Sequence, residues 1–519
     1  MSAGTPKPSS SSHKRTPVND MVVVNTDGMQ APQPGEGLIA SRQNKIIAKL
    51  GANAHLVSIY LLGYNRLEKT KISLESILKY TTGIDYELVL VDNGSSDGTL
   101  DYFKSIEYPH KKIVHVTKNM GLFDPTSYLG GRYIVGIPND IYVTPNWLSN
   151  LLSCAMSDDR IGMVVPVSSN VSNLQDPGLK FNSLEEMREK AAQFNIPDPH
   201  KWHDRLRLLN VIGLFKREAL DMIGKFDYGF FHDFIDDDIT FRMRRAGYRT
   251  VLCKDTFVHH DHNYSTDKDP AIFSRSLESG RKDFINKYFG VDAWDDVNNY
   301  ETFMMSLVEP EQYRNRTGVS ILGVDVMCGT PILELKNKLR EGDVYNASLS
   351  AFSLDAKYWL DLKTICDGTV VVDRIDYLGD HFMEERFDFI LLGKPINTYA
   401  DSTRLIRRLR QFLKPEGHLL VKLRNTLDMT SLVITLGGKV DNFNAGVPQK
   451  YQVRLDEFLD QASQLGLVHK NIALDFLPIS EKDKNYLREL FIHARLEEDT
   501  EEVFTRAGVR DYVFDFVRK

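Results

Sequence analysis

YELVLVDNGSSDGT, residues 86–99, runs from an apolar strand into Asp92, Asn93 and a tight Gly/Ser/Asp turn. At the carboxyl edge of a parallel sheet, such a turn presents backbone N–H groups and a carboxylate, Asp92, whose oxygens can accept from a base or a ribose. The stretch therefore suits a nucleotide. Asp, Asn, Gly and Ser are also ordinary turn formers, so a plain strand-to-helix turn would use the same residues.

Outward from it, short apolar runs alternate with helical periodicity: LVSIYLL from Leu56, then KIVHV, YIVGI and IGMVV. Leu74, Ile77 and Leu78, and again Leu100, Phe103 and Ile106, recur at three- and four-residue steps, as the inner faces of packing helices do. The pattern predicts an α/β fold on a mainly parallel sheet. After the polar stretch EPEQYRNRTG a second set begins, with VSILGV, TVVV, FDFILL and HLLVKL, separated by helices that end near Pro415 and Gly466. DYVFDFV supplies a last strand. The expected organisation is a disordered Ser/Pro-rich arm over 1–40, a first α/β domain over 41–300, a linker over 301–317 and a second α/β domain over 318–519.

With 42% hydrophobic residues in 519, the chain can bury more than one core. A net charge of −7 gives no overall reason to bind nucleic acid. Cys154, Cys253, Cys328 and Cys366 lack CxxC spacing, which argues against a zinc ribbon or disulfide framework and for a reducing cytoplasm. No apolar run reaches the ~20 residues that cross a bilayer, so no transmembrane segment is expected, and any membrane association would be peripheral, at the inner face.

YNR at 64–66, VDNGSSDGT at 91–99, NMG at 119–121, PND at 138–140 and IDDDITFRMRRAGY at 235–248 together resemble family 2 glycosyltransferases, over roughly residues 55–265. The resemblance implies the GT-A fold and transfer of a sugar, with inversion, from a nucleoside-diphosphate sugar to an acceptor hydroxyl on a glycan, glycolipid or protein. It places Asn65, Arg66, Asp92, Asn93, Ser95, Asp97 and Gly121 around the nucleotide. Asp140, helped by Asn139, becomes the ligand for Mn²⁺ or Mg²⁺, although Pro138 replaces the first aspartate of the family's fuller motif. TFVHHDH offers His259, His260 and His262 for the metal shell; strand alternation sends His259 and His260 to opposite faces, and His259 is the expected ligand.

Inverting transfer needs a base for the acceptor proton, and Asp236 occupies that place, with Ile235 where the family has glutamate. Three successive aspartates repel, so at least one should have a raised pKa. The alternative is helix capping, assigned to Asp237 or Asp238, with Arg242 paired to Asp238 or both beside the phosphates. Trp202 and His203 could stack on an acceptor sugar or simply pack.

VSILGVDVMCGTP at 319–331, FDFILL at 387–392 and LKPEGHLLV at 413–421 resemble class I S-adenosylmethionine-dependent methyltransferases. Asp325, Cys328 and Gly329 match that pattern; Met327 and Pro331 replace glycines, and Ser348 stands where an acid should hold the ribose. A structural or acceptor-binding role is thus preferred to S-adenosylmethionine binding. Alternatives for the whole chain are a bifunctional glycosyltransferase/methyltransferase and a non-catalytic glycan-binding scaffold.

Overall fold

The apolar runs pair edge to edge because a strand buried on both faces satisfies its backbone only through neighbours. A computed structural model describes residues 55–119, 123–224, 226–227, 229–230, 233–262, 270–426, 428–429, 453–478, 480–493 and 500–519, so the expected disordered arm lies outside the described residues. Among the described residues, sixteen strands form two sheets.

The first sheet contains β1 (Val57–Gly63), β2 (Tyr86–Asp92), β3 (Lys111–His115), β4 (Tyr133–Pro138), β5 (Ile141–Tyr142), β6 (Ile161–Ser168), β7 (Trp202–Asp204), β8 (Gly213–Lys216) and β9 (Arg249–His260). Its order is β3-β2-β1-β4-β8-β6-β9-β5, with β7 also paired to β9. β3, β2, β1 and β4 are parallel, whereas β8 runs antiparallel between β4 and β6, so the sheet is mixed rather than wholly parallel. Register sets the site. Gly63 lies opposite Asp92, Asp92 opposite His115 and Leu62 opposite Pro138, so four strands finish level and their following turns share one edge.

Side-chain alternation fills both faces. Leu88 and Leu90 pack with Leu74, Ile77 of the helix Leu67–Tyr80 and with Trp147, whereas Val89 and Val91 pack with Met163, Met187 and Ile239.

The second sheet contains β10 (Val319–Val324), β11 (Ala347–Ser353), β12 (Val370–Val372), β13 (Phe387–Leu392), β14 (Leu413–Arg424), β15 (Leu467–Phe476) and β16 (Val509–Arg518). The order is β12-β11-β10-β13-β14-β16-β15, parallel except for β16, which is antiparallel to both neighbours. This is a Rossmann-like α/β layer with one reversed strand, as the methyltransferase resemblance implies.

One apolar core runs from Leu206, Phe241 and Phe284 beside the first sheet, through Leu307, Val308 and Tyr313, to Ile321, Leu335 and Phe389 of the second. The stretch expected as a linker thus holds the short helix Thr302–Ser306 and contributes buried side chains, because its apolar residues are spaced among polar ones that face out. Truncating a core residue such as Phe284 to alanine would remove about 3–5 kcal/mol.

Candidate active site

Two turns at the shared edge are stapled together. Asn65 and Arg66 both take left-handed backbone, φ 52° and 59°. The Asn65 N–H donates to Ser95 Oγ at 3.0 Å, the Ser96 N–H to Asn65 Oδ1 at 3.0 Å, and the Leu67 N–H to Asp97 Oδ2 at 2.8 Å. Asp97 thereby satisfies the first N–H of a helix distant in sequence. Burial raises its carboxyl pKa, but hydrogen bonds from Thr99 and the Leu67 N–H prevail and hold it below the usual carboxylate range. Ser95 and Asp97, expected at the nucleotide, are thus engaged in holding the two turns together. Gly94 has φ +80° and a Cβ there would sit 2.7 Å from the Asn119 nitrogen, so only glycine fits this close approach. Asn93 is buried and its Nδ2 donates to Asn119 Oδ1 at 3.2 Å. Gly121 lies outside the described residues.

Asp92 is fully buried. One oxygen accepts from the Ser95 N–H at 3.1 Å and the other lies 2.7 Å from His115 Nδ1, whose ring is 41% exposed. The group that meets solvent at this strand end is thus His115. Its position at the last residue of KIVHV, level with Asp92, is the signal that could have singled it out.

Beyond β4, Asn139 Nδ2 donates to the Asn65 carbonyl at 2.8 Å and to Thr70 Oγ1 at 2.9 Å, which fixes the turn carrying Asp140. Asp140 Oδ2 lies 3.6 Å from Arg66 Nη1, 3.9 Å from His260 Nε2 and 3.9 Å from His262 Nδ1. The ligand atoms of Asp140, His260 and His262 all fall within 4.8 Å of one another, close enough to surround one cation at ligand distances of about 2.0–2.3 Å. The two imidazoles stack, centroids 5.2 Å apart and planes 13° from parallel. Burial pushes the His260 pKa down, with Asp140 opposing, which favours the neutral ligand form. Its Nδ1 is buried without a hydrogen-bond partner among the described residues.

His259 is on the other face. Its Nδ1 lies 2.7 Å from Ser169 Oγ, and its ring packs against Phe181 and Tyr142 at 5.1 and 5.6 Å. The residues gathered at Asp140 are therefore His260 and His262, in correction of the expected His259. β9 ends at His260, and the Asp261 N–H bonded to the Asp140 carbonyl at 2.8 Å holds the segment just past it, with His262, against the turn that carries the carboxylate.

The helix Ile235–Arg245 places its three aspartates differently. Asp236 is half-buried in the first turn, and its carbonyl accepts from Thr240 Oγ1 at 2.6 Å. Asp237 is buried against Arg207, and burial is the main cause that raises its pKa. Asp238 meets Arg242 Nη2 at 2.8 Å, Lys287 Nζ at 2.5 Å and Tyr288 Oη at 2.7 Å. The N-cap, Phe234, receives no side-chain cap bond, and Asp237 and Asp238 are instead claimed by cations, the buried Arg207 for one and the partly exposed Arg242 and Lys287 for the other. Arg242 also donates to the Ile223 carbonyl at 3.0 Å, so Asp238 and Arg242 brace the helix instead of presenting themselves to a ligand.

A carboxylate and two imidazoles thus converge at the carboxyl edge of an α/β sheet, beside an arginine and a stapled Asp-containing turn, a donor set that could hold a divalent cation. Residues 58–204 match the family model for glycosyl transferase family 2. The match covers the two stapled turns and Asp140 and ends before Asp236, His260 and His262. An uncharacterised glycosyltransferase of Haemophilus influenzae is 24% identical over 115 residues, 21% of this chain and 35% of that one, so the chain spans about a third of that relative. Among solved structures, the mannosyltransferase PcManGT from Pyrobaculum calidifontis in complex with GDP-Man and Mn²⁺ is 16% identical over 49% of this chain and 79% of its own, with a TM-score of 0.32. An S-adenosylmethionine-dependent methyltransferase from Mesorhizobium loti is 15% identical over 42% and 98%, with a TM-score of 0.28.

In β7 of the first sheet, Trp202 and His203 pack. Trp202 Nε1 donates to Asp255 Oδ2 at 2.8 Å, and His203, 4% exposed, lies 3.1 Å from Glu341 Oε1. Nearby, a cavity of about 600 Å³ is lined by Leu174, Phe194, His200, Lys201, Lys254 and Arg314.

The second sheet does not fit S-adenosylmethionine. Ligands of such folds sit beyond the carboxyl ends of the strands, where β10 and β11 here lead into Asp325–Gly329 and Leu354–Tyr358. The chain's own segment 292–300 lies over both: the Cys328 N–H donates to the Asp296 carbonyl at 3.3 Å, Thr330 Oγ1 to the Val297 carbonyl at 2.6 Å, and Tyr358 Oη to Asp296 Oδ1 at 2.6 Å. The N–H that a glycine turn would offer to the cofactor is taken. Asp325 is buried against Lys394 and Tyr399, each at 3.1 Å. Ser348 is not the strand-end residue expected, because it opens β11, opposite Ser320; the acid after that strand is Asp355, whose Oδ1 accepts from the Lys357 N–H at 2.9 Å.

Proposed function

We propose that the chain transfers a sugar, with inversion, from a nucleoside-diphosphate sugar to an acceptor hydroxyl, using a divalent cation held by Asp140, His260 and His262. The observation that carries this is the convergence of those three residues beside Arg66, at the sheet edge where Asp92 and His115 end their strands. Two imidazoles with one carboxylate suit Mn²⁺ better than Mg²⁺, which prefers an all-oxygen shell. When bound, the cation offsets the charge that grows on the departing diphosphate.

The chain's own groups do the rest. His115 addresses the nucleoside, with the buried Asp92 behind it holding the ring so that its outer nitrogen faces the ligand. Arg66 lies where it can approach the diphosphate oxygens. Asp236, the most accessible of the three helix aspartates, takes the acceptor proton as its oxygen attacks the anomeric carbon. Residues 41–300 are read as the transferase domain and 318–519 as its methyltransferase-like companion. The setting is read as cytoplasmic, supported by four buried free cysteines and by the lack, among the described residues, of a helix long and apolar enough to cross a membrane.

A thermal-shift screen of nucleotide sugars with and without Mn²⁺ tests the proposal, since a ligand at 100 times its Kd stabilises by about 2.7 kcal/mol. A donor-dependent shift that needs Mn²⁺ and vanishes in Asp140→Asn is expected. Shifts insensitive to both metal and Asp140 would remove the metal site from the reaction.

A further inference from the structure

The helix Ile235–Arg245 carries Asp236, the proposed base, in its first turn and Arg244 and Arg245 in its last. Both arginines run into the second sheet's layer. Arg244 Nη2 donates to Asp361 Oδ1 at 3.1 Å, and Arg245 Nη2 to Asp361 Oδ2 at 2.7 Å. Arg244 also donates to Thr364 Oγ1 at 3.0 Å and to the Leu206 carbonyl at 2.9 Å. Asp361 is fully buried, in the helix Trp359–Ile365, and these two guanidiniums hold both of its oxygens.

An α-helix of eleven residues is a stiff rod, about 15 Å long at 1.5 Å per residue. Fixing its last turn fixes the direction in which its first turn points. The flank is held as well: the Phe241 ring lies under Arg244 at 4.4 Å and edge-on to Phe284 at 4.9 Å, within the core shared by the two sheets. The second layer, whose strand ends are covered by the chain's own segment, thus has a well-defined contact with the element that carries the proton acceptor.

We propose that Asp361 is a positioning residue for Asp236, and that the methyltransferase-like layer serves the transferase by orienting this helix. The inference rests on the assignment of Asp236 as the base. Arg244 and Arg245 transmit the restraint, and Asp361 touches neither donor nor acceptor.

The full-length protein carrying Asp361→Asn is compared with Asp236→Asn and with the double variant, by kcat, donor KM and Mn²⁺ affinity below the unfolding temperature of each. Asp361→Asn should lower kcat about 10- to 100-fold, the range expected for a displacement near 1 Å, with donor KM and Mn²⁺ affinity unchanged. Added to Asp236→Asn it should cost little further, because a misdirected base that is already absent cannot be lost again. Arg245→Lys, which keeps the charge but changes the fork, should show a milder form of the same split if Asp361→Asn does not fold. A normal kcat in folded Asp361→Asn or Arg245→Lys, or a full multiplicative loss in the double variant, overturns the inference. Wild-type turnover in Asp236→Asn would instead remove the base assignment itself.

Discussion

Arg66 Nη1 stands 3.6 Å from Asp140 Oδ2, a cation already placed against the carboxylate proposed to hold Mn²⁺. Like charges this close oppose one another unless an anion joins them, so metal and arginine should compete until a diphosphate bridges both. Arg66→Gln should therefore bind Mn²⁺ more tightly alone and the donor less tightly in its presence. Calorimetric titration of Mn²⁺ with and without nucleoside diphosphate separates the two effects; a fall in both affinities would contradict the competition.

His260 and His262 share the face of Asp140, and His259 does not. Replacing either of the first pair with glutamine should weaken Mn²⁺ binding by about 10-fold or more, in line with the loss of one imidazole among few ligands. His259→Gln should leave the Mn²⁺ affinity within about twofold, by the same reasoning. Electron paramagnetic resonance of free Mn²⁺ measures all three.

Loss of a general base characteristically lowers turnover by 10² or more while sparing binding. Asp236→Asn should show that split, with donor Kd unchanged and kcat reduced at least about 100-fold. Asp238→Asn should behave differently, because it removes the carboxylate that Arg242, Lys287 and Tyr288 share; about 1–3 kcal/mol of stability should go, the usual cost of leaving buried donors short of a partner, with Lys287 still paired to Asp227. Urea unfolding distinguishes the two variants.

His200 bridges Asp343 at 2.5 Å and Asp198 at 2.8 Å, and hydrogen bonds to those carboxylates, the Asp343 bond foremost, raise its pKa. A raised histidine stabilises the fold fully below its unfolded pKa of about 6.5 and loses that contribution as pH climbs through the folded value. The Tm of the wild type should therefore exceed that of His200→Gln most clearly near pH 6, and the gap should close at alkaline pH. A gap that widens with pH would reverse the sign and the assignment.

With the Cys328 N–H bonded to the Asp296 carbonyl, S-adenosylmethionine should produce no thermal shift in the wild type. Asp296→Ala removes the side-chain bonds to Lys357 and Tyr358 but keeps the carbonyl, and should not restore binding.

YELVLV and FDFILL were legible as strands because each run is buried on both faces and carries its own hydrophobic signature. β8 was not: GLFK is four residues long, and only its antiparallel seat between β4 and β6 defines it. At the site, composition located the acidic and histidine clusters but not their faces. His259 and His260 differ by one position in a strand, and the register that decides between them comes from a pairing with Ile141 and Tyr142 more than a hundred residues away. Asp97 and Asp238 illustrate the same limit: each looks like a ligand in a motif, and each is engaged by partners that only the folded chain brings near, the Leu67 N–H for one and Lys287 for the other.

Phe284, Tyr313 and Phe389 belong to a single apolar continuum beneath both sheets. Cutting the gene near codon 310 would thus not yield two independent proteins; each half would display a raw oily surface and be prone to self-association. The two layers should melt in one calorimetric transition, and exchange of either for a homologous module would demand that the seam be transplanted with it.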